Sequence, residues 1–182
     1  MYEGKLVRLR ELRLTDAETC QAWCNELKMA RQIYGGAPMP LTIENERDFI
    51  ARSAGRKNDE NHFAVDTLEG RFIGVCSYSR TNWKDRNCCI GWFIGDESMR
   101  GRGYGTDMIK TLLKICFDEL DMHKVYLEAY GYNEAAIRLY ERLGFVREGV
   151  YRERTYAMGR RWDEVRYGML RNEYKAPYGG DD

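Results

Sequence analysis

The stretch Cys88-Cys89-Ile90-Gly91-Trp92-Phe93-Ile94-Gly95 leads, across three intervening residues, into Met99-Arg100-Gly101-Arg102-Gly103-Tyr104-Gly105-Thr106. The first run is apolar at nearly every position, as expected of a central strand covered on both faces. Behind the second, the period becomes helical: Met108, Ile109, Leu112, Leu113, Cys116 and Leu120 recur at three- and four-residue intervals. Glycines at such a junction let the backbone curl tightly and approach a ligand with no β-carbon in the way. The freed amides and the positive end of the helix dipole then point at one spot, which suits a phosphate or pyrophosphate. Arg100 and Arg102 add local charge.

Outward from this junction the chain alternates strand and helix. Downstream, Lys124 to Tyr130 returns to strand, and Asn133 caps a helix with Ala136, Leu139, Tyr140 and Leu143 inward and Gly144 placed to end it. Two last strands, roughly Phe145 to Tyr156 and Asp163 to Met169, meet at Met158-Gly159-Arg160-Arg161. Upstream, Lys5 to Arg10 alternates as a first strand. Thr15 and Glu18 read as a capping box for a helix with Ala17, Cys20, Cys24 and Leu27 on one face. Pro38 and Pro40 break the chain, and a second helix follows Thr42 with Ile43, Phe49 and Ile50 as anchors. His62 to Thr67 and Phe72 to Ser79 flank a short connection and read as a hairpin, and Asn82 to Asn87 is turn-like. The sum is one mixed α/β domain over residues 1–176, with 177–182 as a loose tail.

Composition narrows the classes of function. The 182 residues carry 29 basic and 29 acidic side chains, so no global field points to nucleic acid or to a membrane surface. The amino-terminal MYEGKLVRLREL has neither the apolar run nor the cleavage site of a signal peptide, and no stretch approaches a membrane span. The six cysteines and two histidines show no ligand spacing, so no metal site is expected, and the thiols read as reduced and cytoplasmic.

Three phosphate-binding readings of the loop compete. A phosphate-loop nucleotide site needs a lysine and then Ser or Thr after its last glycine, whereas Gly105 is followed by Thr106-Asp107. A dinucleotide fingerprint needs a glycine three residues after Gly103, where Thr106 stands. The third reading agrees. Arg-x-x-Gly-x-Gly between strand and helix resembles the acetyl-coenzyme A signature of the GNAT superfamily of N-acetyltransferases. Asn133 at a helix start, then Tyr140 and Leu143-Gly144-Phe145, is similar to that family's next motif block. Tyr151-Arg152-Glu153 with Gly159, Trp162 and Asp163 looks like the subgroup of ribosomal-protein alanine and spermidine acetyltransferases.

The resemblance implies a mixed, mostly antiparallel sheet flanked by helices, and acetyl transfer from acetyl-coenzyme A to a primary amine by direct attack in a ternary complex. It implies that backbone groups of Phe93, Ile94 and Gly95 pair with the pantetheine arm like an added strand. Amides of Arg100, Gly101, Arg102, Gly103, Tyr104, Gly105 and Thr106 would take the pyrophosphate. Asn133 would bond the pantetheine side, and Tyr140 would supply a proton to the departing thiolate. The acceptor stays open among a protein amino terminus, a polyamine, an amino sugar and a small amine, and a homodimer is open too.

One position departs from the subgroup. Its central strand often reads Ala-Glu-Ile-Gly-Tyr, the glutamate being a candidate base, and here Cys89 takes that place. A covalent cysteine route would need a thiolate-stabilising partner that the neighbouring sequence lacks. Attention moves to Glu128 as catalytic carboxylate, with Asp66 and His62 behind it and His123 structural. Tyr78, Trp83, Trp92, Tyr130 and Tyr132 are candidates for an aromatic acceptor pocket. A longer acyl donor, or a regulatory coenzyme A-binding module that keeps the fold without turnover, are the rival readings.

Overall fold

The computed structural model describes residues 1–35, 40–53 and 59–176; Pro38 and the 177–182 tail lie outside them. Its strands are β1 (Tyr2–Glu3), β2 (Val7–Glu11), β3 (Asn61–Thr67), β4 (Phe72–Asn82), β5 (Asn87–Ile94), β6 (Lys124–Tyr130), β7 (Val146–Ala157) and β8 (Arg160–Leu170). They form one sheet in the order β1-β2-β3-β4-β5-β6-β8-β7. Every pairing is antiparallel except β5 with β6. The helices are α1 (Ala17–Asn25), α2 (Leu27–Tyr34), α3 (Ile43–Ser53), α4 (Tyr104–Lys114, prolonged by a π turn to Glu119) and α5 (Glu134–Arg142).

Alternation in the strands sends side chains to two cores. On one face Val7, Leu9, Val65, Cys88, Ile90 and Ile94 pack with the apolar row of α4 and with α5. On the other, Ala64, Val75 and Phe93 meet α1 and α3 through Ala17, Cys20, Phe49 and Ile50. The β7–β8 turn uses Met158 at φ 54° and Gly159 at φ 78°, the left-handed pair that matches the twist of a tight hairpin.

Several local expectations shift. The strand expected over Lys5 to Arg10 is β2, preceded by β1, and it begins at Val7 because Asp107 of α4 accepts the Leu6 and Val7 amides at 2.7 and 3.1 Å. No Thr15–Glu18 capping box forms. Asp16 closes a turn onto the Arg13 amide at 2.8 Å and is held by the Arg10 guanidinium. The first helix stops at Glu26, whose extended ψ of 122° starts α2 on a new axis and leaves Leu27 exposed.

The largest correction concerns β5. It pairs with β6 only at Asn87–Lys124, Cys88–Val125 and Cys89–Tyr126; beyond Cys89 the two strands part. Cys88, Ile90 and Ile94 are buried as expected, but Gly91 is exposed and Cys89 and Phe93 are half-buried. The strand is therefore covered on one face and opens on the other side to the gap left by its lost partner.

Candidate active site

That gap is the mouth of a cavity of about 1220 Å³, lined along one wall by β5 from Cys89 to Ile94 and along the other by Glu128, Ala129 and Tyr130 of β6. At one end stands the glycine loop. Gly101 and Gly103 have φ of 71° and 91°, which side-chain-bearing residues rarely adopt, and Gly103 is the residue before the first turn of α4. A β-carbon at Gly105 would come within 3.3 Å of the Trp92 ring, so this glycine lets the helix start lie against β5. Gly101, Gly103, Gly105 and Thr106 line the cavity, whereas Arg102 and Tyr104 do not. The Arg100 side chain turns back, its Nε donating to the Ile94 carbonyl at 3.0 Å and Nη2 to that of Gly95 at 3.2 Å. Its charge fastens the loop to the end of β5.

The ladder with β4 decides which backbone groups of β5 face the gap. Gly95 donates its N–H to Ile73 of β4 at 2.9 Å. By antiparallel alternation Phe93 is also turned to β4, whereas Trp92 and Ile94 turn their backbone to the open side, the Ile94 carbonyl there being already held by Arg100. Of the three residues expected to pair with the pantetheine arm, Ile94 is the one so placed.

Asn133 caps α5, its Oδ1 accepting the Ala136 amide at 3.2 Å, and it lines the cavity. Two turns on, Tyr140 is 6% exposed and lines the cavity. Trp92 Nε1 donates to that hydroxyl at 3.0 Å, and the rings meet edge-on at 83°. An indole N–H only donates, so the phenol oxygen accepts here and keeps its own hydrogen for another partner. Burial pushes the phenol well above its ordinary range, so it stays protonated. Burial likewise raises the Cys89 thiol to about 11, against the opposing pull of Arg80, so it is a neutral thiol at pH 7 and a poor nucleophile.

Glu128 lines the cavity between Arg80 at 3.6 Å and Arg166 at 3.7 Å. Arg80 takes φ 51° beside a bulge in β4, a strained conformation at the rim of the site. Asp66 is elsewhere, in a buried cluster where Arg10 binds it at 2.7 Å and Asp16 at 2.8 Å. His62 does reach the cavity, its ring edge-on to Phe49 at 4.9 Å. His123 lies outside it, its N–H donating to the Arg86 carbonyl. Of the aromatic candidates, Trp92 and Tyr130 line the cavity. Tyr132 stacks behind Tyr130 at 5.4 Å, Tyr78 packs on Phe63 in the core, and Trp83 is exposed in its turn.

Two carboxylates on the cavity wall are additions to the expected set. Glu164 of β8 stands opposite Tyr130, is 7% exposed, and has its carboxyl pushed up by burial despite Arg154 at 3.5 Å. Glu46 lies inward on α3. Its sequence signal was available, since Ile43, Glu46 and Ile50 share one helix stripe. For Glu164 no such signal exists, because only the pairing with β6 brings it there.

A sheet split beside a glycine-rich helix start, with a protonated tyrosine in the gap, defines an acyl-coenzyme A-dependent N-acyltransferase. A family model described as an acetyltransferase (GNAT) domain matches residues 7–146. A SPbeta prophage-derived N-acetyltransferase of Bacillus subtilis, YokL, is 29% identical over 141 residues, 77% of each chain. The spermidine N(1)-acetyltransferase of Vibrio cholerae is 32% identical over 117 residues, 64% of this chain and 67% of the relative. The crystal structure of the Vibrio cholerae spermidine N-acetyltransferase in complex with CoA and spermine matches with a TM-score of 0.84 at 24% identity, covering 92% of this chain and 97% of that one. The chain belongs to the GNAT acetyltransferase family, and it is an N-acetyltransferase with acetyl-CoA as cosubstrate.

Proposed function

We propose that residues 1–176 form one domain that acetylates a primary amine by direct attack on acetyl-CoA bound in the gap between β5 and β6. The amides from Gly101 to Thr106 take the pyrophosphate, with the α4 dipole behind them. The pantetheine arm runs beside Ile94 as a substitute strand, and the Asn133 side-chain amide, whose oxygen is spent on the cap, donates to it. Once deprotonated, the amine nitrogen attacks the thioester carbonyl, the carbon–sulfur bond breaks, the thiolate takes its proton from Tyr140, and the proton the nitrogen sheds as the amide forms restores the phenol. The proton lost by the ammonium leaves through water toward Glu128. The protein contributes orientation and placed dipoles, with no covalent enzyme intermediate.

The observation that carries this reading is the hydrogen bond from Trp92 to Tyr140, which aims the phenol's own hydrogen away from the indole within a wall that continues to the glycine loop. The acceptor is a protein amino terminus, a polyamine, an amino sugar or a small amine, and the polyamine class has support from the spermidine-acetylating relative. The six free cysteines, five of them buried, support a cytoplasmic setting, and among the described residues no helix is long and apolar enough to cross a membrane. Light scattering would tell whether the chain is a homodimer.

Free coenzyme A release measured across an amine panel tests the reading. Turnover with at least one amine that falls about 10²-fold in Tyr140→Phe is the expected result, the size typical of a lost general acid. Coenzyme A binding with no amine-dependent thiol release would instead establish a non-catalytic module, the reading that Cys89 in place of a carboxylate favours. Comparing acetyl-CoA with longer acyl-CoA donors in the same assay settles chain length.

A further inference from the structure

Glu46 is a carboxylate that none of the chemistry above uses. It sits on α3 between Ile43 and Ile50, on the stripe that faces the second core. The residue is 6% exposed, lines the cavity, and among the described residues makes no hydrogen bond or ion pair through its side chain. Burial alone pushes its carboxyl up. The polar groups that sense its charge are the Cys20 and Cys24 thiols and the Tyr34 phenol, all raised by burial and neutral at pH 7. Arg52 also lines the cavity, but its Nε donates to the Asp48 carbonyl at 3.2 Å, and it makes no ion pair with Glu46.

A bare carboxylate in such a place is costly, and a leucine or methionine on this helix stripe would fill the space without that cost. A cation entering through the cavity would supply the counter-charge. The cavity wall that carries Glu46 also carries Phe49, Leu41 and Val75, apolar surface suited to a methylene chain. We propose that Glu46 anchors an ammonium group of the acceptor other than the amine that is acetylated, so that the site prefers dicationic amines to monoamines of equal length. This rests on the cavity being the acetyl-transfer site. Its acceptor end is thereby assigned to α3, while Glu128 and Glu164 on the opposite wall remain beside the reacting amine.

Calorimetric titration of 1,4-diaminobutane and of butylamine into the full chain without acetyl-CoA tests the assignment separately from turnover. The wild type is expected to bind the diamine about tenfold more tightly than the monoamine, the size of one favourable charge contact. In Glu46→Gln that ratio should collapse to near unity, and in steady state the loss should fall on the KM for the diamine. Should Glu46→Gln not fold, Glu46→Met, which completes the apolar stripe, takes its place. Equal affinities in the wild type, or a ratio retained in the variant, overturn the proposal. A ratio that collapses in a protein showing no amine-dependent thiol release keeps the cation site and sinks the acetyl-transfer reading instead.

Discussion

The Tyr140 hydroxyl has one hydrogen to give, and the Trp92 indole, by occupying its lone pair, determines where that hydrogen does not go. Trp92→Phe removes the indole N–H together with the outer part of the ring that lies against Gly105, so kcat should fall about tenfold or more, one lost hydrogen bond accounting for about tenfold. In a Tyr140→Phe background the hydrogen-bond share of that loss should vanish, and a double-mutant cycle on kcat checks this. Cys89 gives a residue-scale prediction of the opposite kind. With its thiol near 11, only about a thousandth is thiolate at pH 8, so alkylation should stay slow there and accelerate toward pH 11, as read by mass spectrometry. Rapid labelling at pH 7 would reopen a covalent role. Tyr140 was legible from its place between Asn133 and Leu143-Gly144-Phe145. Its partner was not, because Trp92 and Tyr140 lie on a strand and a helix that meet only in the fold.

At the scale of elements, the start of α4 does two jobs on opposite sides. Its backbone end carries the loop glycines, and its first-turn Asp107 ties down the Leu6 and Val7 amides. Gly103→Val should abolish acetyl-CoA binding in calorimetry, since a branched side chain resists φ 91° and a β-carbon already comes within 3.3 Å of Leu6. Unchanged affinity in a folded Gly103→Val would displace the pyrophosphate from this loop. Asp107→Ala should instead cost stability, about 1–3 kcal/mol for amides left without acceptors, measurable by denaturant unfolding. The glycine loop, the α4 stripe and the Asn133 cap were readable because each is local chemistry at fixed offsets. The start of α2 was not, as it depends on one extended residue, Glu26, and the capping of α1 was misread because Asp16 is claimed by Arg10. The uncovered side of β5 escaped for another reason: apolar composition says how much a strand buries, and only pairing says which flank stays open.

Across the whole molecule, buried charge sorts into partnered and unpartnered. Arg10 partners both Asp16 and Asp66, and Arg10→Met would strand two buried carboxylates at a cost of about 3–5 kcal/mol, read as a lower denaturation midpoint. Glu46 has no such partner, and its raised carboxyl sets the sign of a pH effect. A group that binds its proton more tightly when folded contributes most at low pH, and the contribution is lost as pH rises through its folded value. Glu46→Gln should therefore melt at the same temperature as the wild type near pH 4 and above it near pH 8, and a melting series against pH checks this. An acidic residue on an apolar stripe was visible in sequence; that the stripe borders a cavity was not, since β5, β6, α1 and α3 all contribute to its wall.

The parting of β5 from β6 after three paired positions also has a meaning for exchange with solvent. The seam leaves two half-sheets, β1 to β5 and β6 to β8, joined through Asn87, Cys88 and Cys89. Amides in the seam are locked, whereas the Ile94 amide, turned to the gap, is left to water until something lies alongside it. Deuterium uptake at Ile94 should slow on adding acetyl-CoA, while Cys88, already inside the ladder, should show no such local closing. The cosubstrate would then act as the missing rung that stiffens one half-sheet against the other.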